Sequence, residues 1–174
     1  MKISDTQLTG VKLLTQVLRS DERGFFSRIF CEEEFQEAGI PFKIVQANRS
    51  YSTTKLTLRG LHFQKNESAE DKFIRVVNGS IWDVAVDVRP NSKNYLKYIG
   101  IELCSEKPEG IYIPKGFAHG FITLKPDTEV EYLVSSPYSP LNECGLRWDD
   151  PKIQINWPGI PNQISEKDAT WPLL

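Results

Sequence analysis

A mainly β fold, an antiparallel sandwich or barrel with few short helices, is the fold class this sequence predicts. Three observations carry that reading. Short apolar runs recur along the chain, and the longest of them alternate with a period of two. Pro, Gly, Asn and Asp stand between the runs, the residues that punctuate turns. Helical signal is sparse, and the clearest candidate is the short segment over residues 32–38. Regular short strands with turn signals between them are the pattern of sheets that pack face to face or close on themselves.

Taken in order, the helical candidate runs from Glu32 to Ala38 and stops at Gly39. Arg59-Gly60-Leu61-His62-Phe63-Gln64 is apolar and strand-like, and Lys72 opens a strand from Phe73 to Val77. Val76-Val77-Asn78-Gly79-Ser80-Ile81-Trp82 predicts a hairpin, because Asn-Gly tolerates the positive φ of a tight turn. Beyond it Trp82, Val84, Val86 and Val88 alternate with Asp83, Ala85, Asp87 and Arg89, which predicts a strand with one apolar face. Further strands are expected over 99–103, 111–113, 120–124 and 129–134. From Pro151 the chain becomes proline-rich, and a tail over 151–174 is expected to wrap a single domain spanning 1–174.

A chain of 174 residues can bury a sizeable core in one such domain. Net charge is −2 with both signs interspersed, so no basic stripe points to nucleic acid as a partner. No apolar run reaches transmembrane length, so no membrane association is expected, and the first residues lack the hydrophobic stretch of a signal peptide. Cys31, Cys104 and Cys144 are odd in number and far apart. They read as structural free thiols of a reducing cytoplasm, not as a disulfide framework or a zinc site.

Chemistry is suggested first by His62, one of two histidines in the chain. Histidine titrates near neutrality, and Arg59 three residues before it carries a permanent charge suited to phosphate. The bland alternative is a core histidine beside a surface arginine. The second histidine lies in Pro114-Lys115-Gly116-Phe117-Ala118-His119, where a turn delivers it to the start of a strand. That spacing resembles the second motif of cupin barrels, whose histidine often binds metal. The first cupin motif needs His-x-His and a glutamate, whereas Leu61-His62-Phe63-Gln64 supplies one imidazole. No metal is therefore assigned, although two histidines and a carboxylate would suffice for a facial triad.

Tyr132 shares a strand face with Val130 and Val134 and is expected to point inward, with Glu129 and Glu131 pointing out. Core packing and acid–base work both fit it. Lys72 reads locally as a solvated lysine after a charged loop, or as a cation placed to stabilise an enolate oxygen. Asp168 reads locally as a helix cap or a surface charge.

Several segments in register resemble the dTDP-4-dehydrorhamnose 3,5-epimerase family over nearly the whole chain. They are Asp21-Glu22-Arg23-Gly24-Phe25-Phe26, Val45-Gln46-Ala47-Asn48, Leu58 to Gln64, Asp83 to Arg89, Ile113 to Phe121, Arg147-Trp148-Asp149-Asp150-Pro151 and Ser165-Glu166-Lys167-Asp168. The resemblance implies a cupin-like antiparallel β-barrel or jelly roll that needs no cofactor. It implies a homodimer in which a strand of one subunit helps to build the other's site. The implied reaction inverts C3 and C5 of a 4-keto-6-deoxyhexose carried on a nucleoside diphosphate.

By the same resemblance His62 is the base, Asp168 orients it, Lys72 stabilises the enolate at O4, and Tyr132 is the acid on the opposite face. Arg59 and Arg23 match positions that hold the diphosphate. Gln46, Ala47 and Asn48 match positions that meet the nucleoside, and His119, Tyr138, Glu143 and Lys167 match positions lining the cleft. The chain departs from the pattern at Arg28, where better-known members place a glutamate associated with nucleoside recognition, and at Pro137, where an aromatic pair is common. With a donor in place of an acceptor at Arg28, CDP- and GDP-linked sugars stand as alternatives to the dTDP sugar. A metal-dependent cupin oxygenase or isomerase and a non-catalytic sugar-nucleotide binding module are the alternatives from other classes.

Overall fold

Two antiparallel sheets face one another in the computed structural model, which describes all 174 residues. The chain runs through β1 (Lys2–Asp5), β2 (Lys12–Thr15), β3 (Leu18–Asp21), β4 (Gly24–Ser27), α1 (Glu32–Glu37), β5 (Gln46–Ser52), β6 (Leu58–Gln64) and β7 (Lys72–Asn78). It continues through β8 (Ser80–Asp87), β9 (Tyr98–Cys104), β10 (Glu109–Ile113), β11 (Phe117–Thr123), β12 (Thr128–Val134), β13 (Glu143–Gly145) and α2 (Glu166–Ala169). One sheet has the order β1-β2-β10-β7-β12-β5, and the other β13-β6-β11-β8-β9. The hairpin β3–β4 stands as a two-stranded sheet of its own.

The core between the sheets is built by the inward residues of both. Ile74, Val76, Ile111, Ile113 and Val130 come from the six-stranded sheet, and Ile81, Ala85, Leu103, Phe117 and Phe121 from the five-stranded one. Each sheet is also covered on its outer face. On the six-stranded sheet, Phe35 of α1 and Phe42 pack with Leu14, Phe73 and Tyr112. On the five-stranded sheet, Ile153 with Ile155 and Trp157 of the tail cover Leu61, Val84, Val86 and Ala118. Double coverage makes the central strands buried on both faces, the condition under which apolar alternation fades.

The expected mainly β, antiparallel class is what is observed, and α1 ends where Gly39 takes the positive φ of +73°. Two local expectations are corrected. Asn78-Gly79 makes the tight turn, with φ of +80° at Gly79, but β7 pairs with β10 and β12 while β8 pairs with β11 and β9. The turn therefore carries the chain from one sheet to the other and closes no hairpin. The strand after it has no solvent-facing polar side: Asp83 and Asp87 are fully buried beside Ala85. Asp87 is satisfied internally by Arg89 and Ser92, and one oxygen of Asp83 by His119. A strand boundary also shifts, since β11 begins at Phe117 and places His119 within the strand. No helix is long and apolar enough to cross a membrane.

Candidate active site

A cavity of about 920 Å³ opens at one end of the space between the sheets. Its walls come from opposite sheets, and strand register dictates which side chains meet. On β12, Tyr132 lies opposite Asn48 of β5 on one side and Ile74 of β7 on the other. One rung along, Val134 lies between Gln46 and Lys72. Asn48, Tyr132, Gln46 and Lys72 therefore share the inner face of the six-stranded sheet and line the cavity together. Glu129 and Glu131 turn the other way and pair with Arg49 and Arg75.

The facing wall is β6 with β11 and β13. Simple alternation would put Arg59 and His62, three residues apart, on opposite faces. The register prevents this: His62 pairs with His119 and Arg59 with Phe121, so β6 carries one residue more than β11 between the two pairs. That bulge brings both side chains to the cavity. Glycine is required at its centre. Gly60 has φ of +114°, and a Cβ there would stand 2.6 Å from Gly120 Cα and 2.7 Å from the His119 carbonyl oxygen.

His62 meets Asp168 through Nε2 and Oδ1 at 2.6 Å. The carboxylate arrives from the short helix α2, whose N-cap Ser165 accepts a hydrogen bond from the Asp168 backbone N–H at 3.1 Å. Asp168 is neither a cap nor a surface charge; it is buried, with its second oxygen accepting from Gly60 N–H at 3.1 Å. Burial favours its neutral form, but the hydrogen bond and charge of His62, with the Gly60 N–H, outweigh it and hold the carboxyl below its ordinary value. Trp171, farther along the tail, stands edge-on to the His62 ring at 6.4 Å between centroids.

His119 is the second imidazole on this wall. Its Nε2 lies 2.8 Å from Asp83 Oδ2, and the other oxygen of Asp83 is buried without a partner. Each imidazole thus has its own carboxylate, and no group of three or more His, Cys, Asp or Glu side chains converges as a metal site would require.

Lys72 is buried, not solvated. Its ammonium donates to the His62 carbonyl oxygen at 3.1 Å and stands 3.0 Å from Glu70. Burial pushes the Tyr132 phenol above its ordinary pKa, with nearby Arg59 opposing, so it keeps its proton throughout the neutral range. Arg59 is aimed by Ser52 Oγ at 3.2 Å and by the Tyr51 carbonyl oxygen at 2.9 Å. At the mouth, Glu143 accepts from Tyr138 Oη at 2.8 Å and pairs with Lys167, while Gln46 accepts from the Tyr138 N–H at 2.8 Å. Burial opposes ionisation of Glu143, but Lys167 and Tyr138 prevail and hold its carboxyl low.

Eleven of the sequence-derived candidates line this one cavity: Gln46, Asn48, Arg59, His62, Lys72, His119, Tyr132, Tyr138, Glu143, Lys167 and Asp168. Three lie outside it. Ala47 faces the other side of β5, Arg23 pairs with Asp21 on the β3–β4 hairpin, and Arg28 pairs with Glu34 of α1. Glu70, Asp83 and Trp171 were not among the candidates. Only Asp83 carried a usable signal, a carboxylate inside an otherwise apolar strand.

A profile of the dTDP-4-dehydrorhamnose 3,5-epimerase family matches residues 5–174. The chain is 43% identical over 175 residues to a dTDP-4-dehydrorhamnose 3,5-epimerase of Sinorhizobium fredii, covering 100% of this chain and 90% of the relative. The chain belongs to the dTDP-4-dehydrorhamnose 3,5-epimerase family. Among solved structures, the family's enzyme from Bacillus anthracis, with TDP and PPi bound, superposes with a TM-score of 0.96 at 41% identity, covering 99% of each chain. The enzyme from Legionella pneumophila, in complex with dTDP-4-keto-L-rhamnose, gives 0.93 at 37% identity over 99% of this chain and 92% of that one. An epimerase of this family is an isomerase.

Proposed function

We infer that this protein is a nucleotide-sugar 3,5-epimerase that converts dTDP-4-dehydro-6-deoxy-D-glucose to dTDP-4-dehydro-L-rhamnose. The observation that carries the reading is the facing arrangement of a His62–Asp168 pair on one wall and Tyr132 on the other. Inversion needs a base on one side of a carbon and an acid on the other, and opposed sheets supply that separation. The C4 ketone acidifies the hydrogens on C3 and C5. His62 takes the hydrogen as a proton, and the C–H electron pair moves into the C–C bond as the carbonyl π pair moves to O4. With Nε2–H donating to Asp168, the Nδ1 lone pair is the basic site. Lys72 stabilises the enolate oxygen, and Tyr132 returns a proton to the carbon from the other face. Solvent resets both groups. The substrate's ketone serves as the electron sink, so the mechanism calls on no cofactor.

Arg59 grips the diphosphate, with a guanidinium that binds two oxygens at once. Gln46, Asn48, His119, Tyr138, Glu143 and Lys167 hold the rest of the ligand. Arg23 and the Arg28 region reach a ligand only across a subunit boundary. The reading therefore includes a homodimer in which the β3–β4 hairpin enters the neighbour's cavity, with Arg23 on its diphosphate. The protein works in the cytoplasm, in keeping with its three free cysteines.

Incubation with dTDP-4-dehydro-6-deoxy-D-glucose in D2O tests the reaction. Deuterium is expected at both C3 and C5 by NMR. Label at one carbon identifies a single-centre epimerase, and label at neither rejects the proposal.

A further inference from the structure

A lysine ammonium has three N–H donors. In Lys72 one is directed at the His62 carbonyl oxygen, and the ammonium forms an ion pair with Glu70, Nζ lying 3.0 Å from Oε1, while the side chain borders the cavity. Donor capacity beyond the His62 carbonyl is left for a substrate oxygen. Both members of the ion pair are nearly closed to solvent, with side-chain exposures of 11% for Lys72 and 7% for Glu70. A charge so placed is stable only with a partner held in good geometry.

Glu70 is held in that way. Its other oxygen accepts from Gln64 Nε2 at 2.9 Å. Gln64 is itself fixed, because its Oε1 accepts from the Ser139 N–H and its amide lies within 2.9 Å of the Ser68 carbonyl oxygen. Gln64 thus anchors the carboxylate beside the ammonium.

We propose that Glu70 is a positioning residue, a buried counter-ion that fixes Lys72 so that an N–H not given to the His62 carbonyl meets the oxygen where enolate charge develops. The inference rests on the role given to Lys72 above. Glu70 also borders the cavity, but one of its oxygens faces the ammonium and the other accepts from Gln64, so it acts through the lysine. In Glu70→Gln the replacement still accepts from Gln64 but leaves the ammonium buried without its counter-charge and free to change rotamer. Because charge builds on the oxygen only as the proton leaves, the loss belongs in kcat and not in KM.

The experiment compares Glu70→Gln, Lys72→Ala and the double variant by steady-state kinetics and by deuterium wash-in at C3 and C5. Glu70→Gln is expected to lower kcat on the order of tenfold, a misplacement effect, with KM held within about twofold. The double variant is expected to be no slower than Lys72→Ala alone. Glu70→Asp keeps the charge but draws it back by one methylene; it too is expected to lose kcat with KM held, and it serves if Glu70→Gln fails to fold. If Lys72→Ala exchanges protons at the wild-type rate, the role of Lys72 falls and this inference with it. If Lys72→Ala is slow while Glu70→Gln is unimpaired, or if the two losses multiply in the double variant, the inference about Glu70 alone is overturned.

Discussion

Under the proposed function Asp168 has two separable duties, one in the chemistry and one in the stability of the fold. In the proposed mechanism it accepts from Nε2–H and so sets the imidazole tautomer, and as a buried anion it supports the imidazolium formed when the base takes a proton. Asp168→Asn keeps the shape and removes the charge, so kcat is expected to fall by about a hundredfold or more, the scale of general acid–base catalysis. Burial acts against its ionised form but is outweighed by His62 and Gly60, so its folded pKa lies below the ordinary carboxylate value of about 4. A depressed carboxyl contributes stability that is complete above that ordinary value and is lost as pH falls through the folded one. Melting curves from pH 6 to pH 2 should therefore show wild type losing more Tm than Asp168→Asn below about pH 4. Equal losses would reject the shift. The aspartate's role was invisible locally because it lies 106 residues from His62, and four consecutive polar residues at 165–168 look like any exposed turn.

At the scale of elements, the bulge in β6 turns a local sequence into a site. Arg59, Gly60 and His62 are legible as a cluster of useful residues, but period-two alternation would separate the arginine from the histidine. The correction comes from β11, sixty residues away, and from a glycine pair at which two backbones nearly touch. Gly60→Ala adds a Cβ that collides with backbone at 2.6 Å and places a side chain at a φ of +114°. A loss of about 3 kcal/mol or more is expected in urea unfolding. Turnover of the remaining folded enzyme is expected to drop as well, since Arg59 and His62 no longer share a face. A variant as stable and active as wild type would remove the bulge from the account. The same limit explains the other misreadings. Asn78-Gly79 makes the turn its chemistry promises, yet turn chemistry does not say which sheet receives the next strand. Asp83 and Asp87 mark an outward face in a one-layer reading, and they turn inward because the tail covers the other side. Strands with simple apolar patterns, such as β10 and β12, needed no such information and were legible to within a residue or two.

For the whole molecule, the decisive feature is a hairpin with no sheet to join. Two strands alone are marginal in water, and β3–β4 leaves Phe25 68% and Phe26 64% exposed, with Leu18 also uncovered. Exposed apolar surface of this kind fits the proposed contact with a second copy. If a second copy receives it, Arg23 enters a site whose base belongs to its neighbour. Static light scattering should then give twice the chain mass, and a mixing experiment tests the exchange itself. Arg23→Glu repels the diphosphate, and His62→Ala lacks the base, so each homodimer is expected to be nearly inactive at substrate concentrations below KM. When the two are dissociated, mixed equally and reassembled, half the dimers carry one chain of each kind. Each such dimer has one site with an intact base and an intact arm, so about one quarter of all sites should regain wild-type turnover. Activity no greater than the sum of the two parents would mean that Arg23 serves its own chain or none. In that case the hairpin's apolar face would need another partner, and the dimeric site would have to be completed without it.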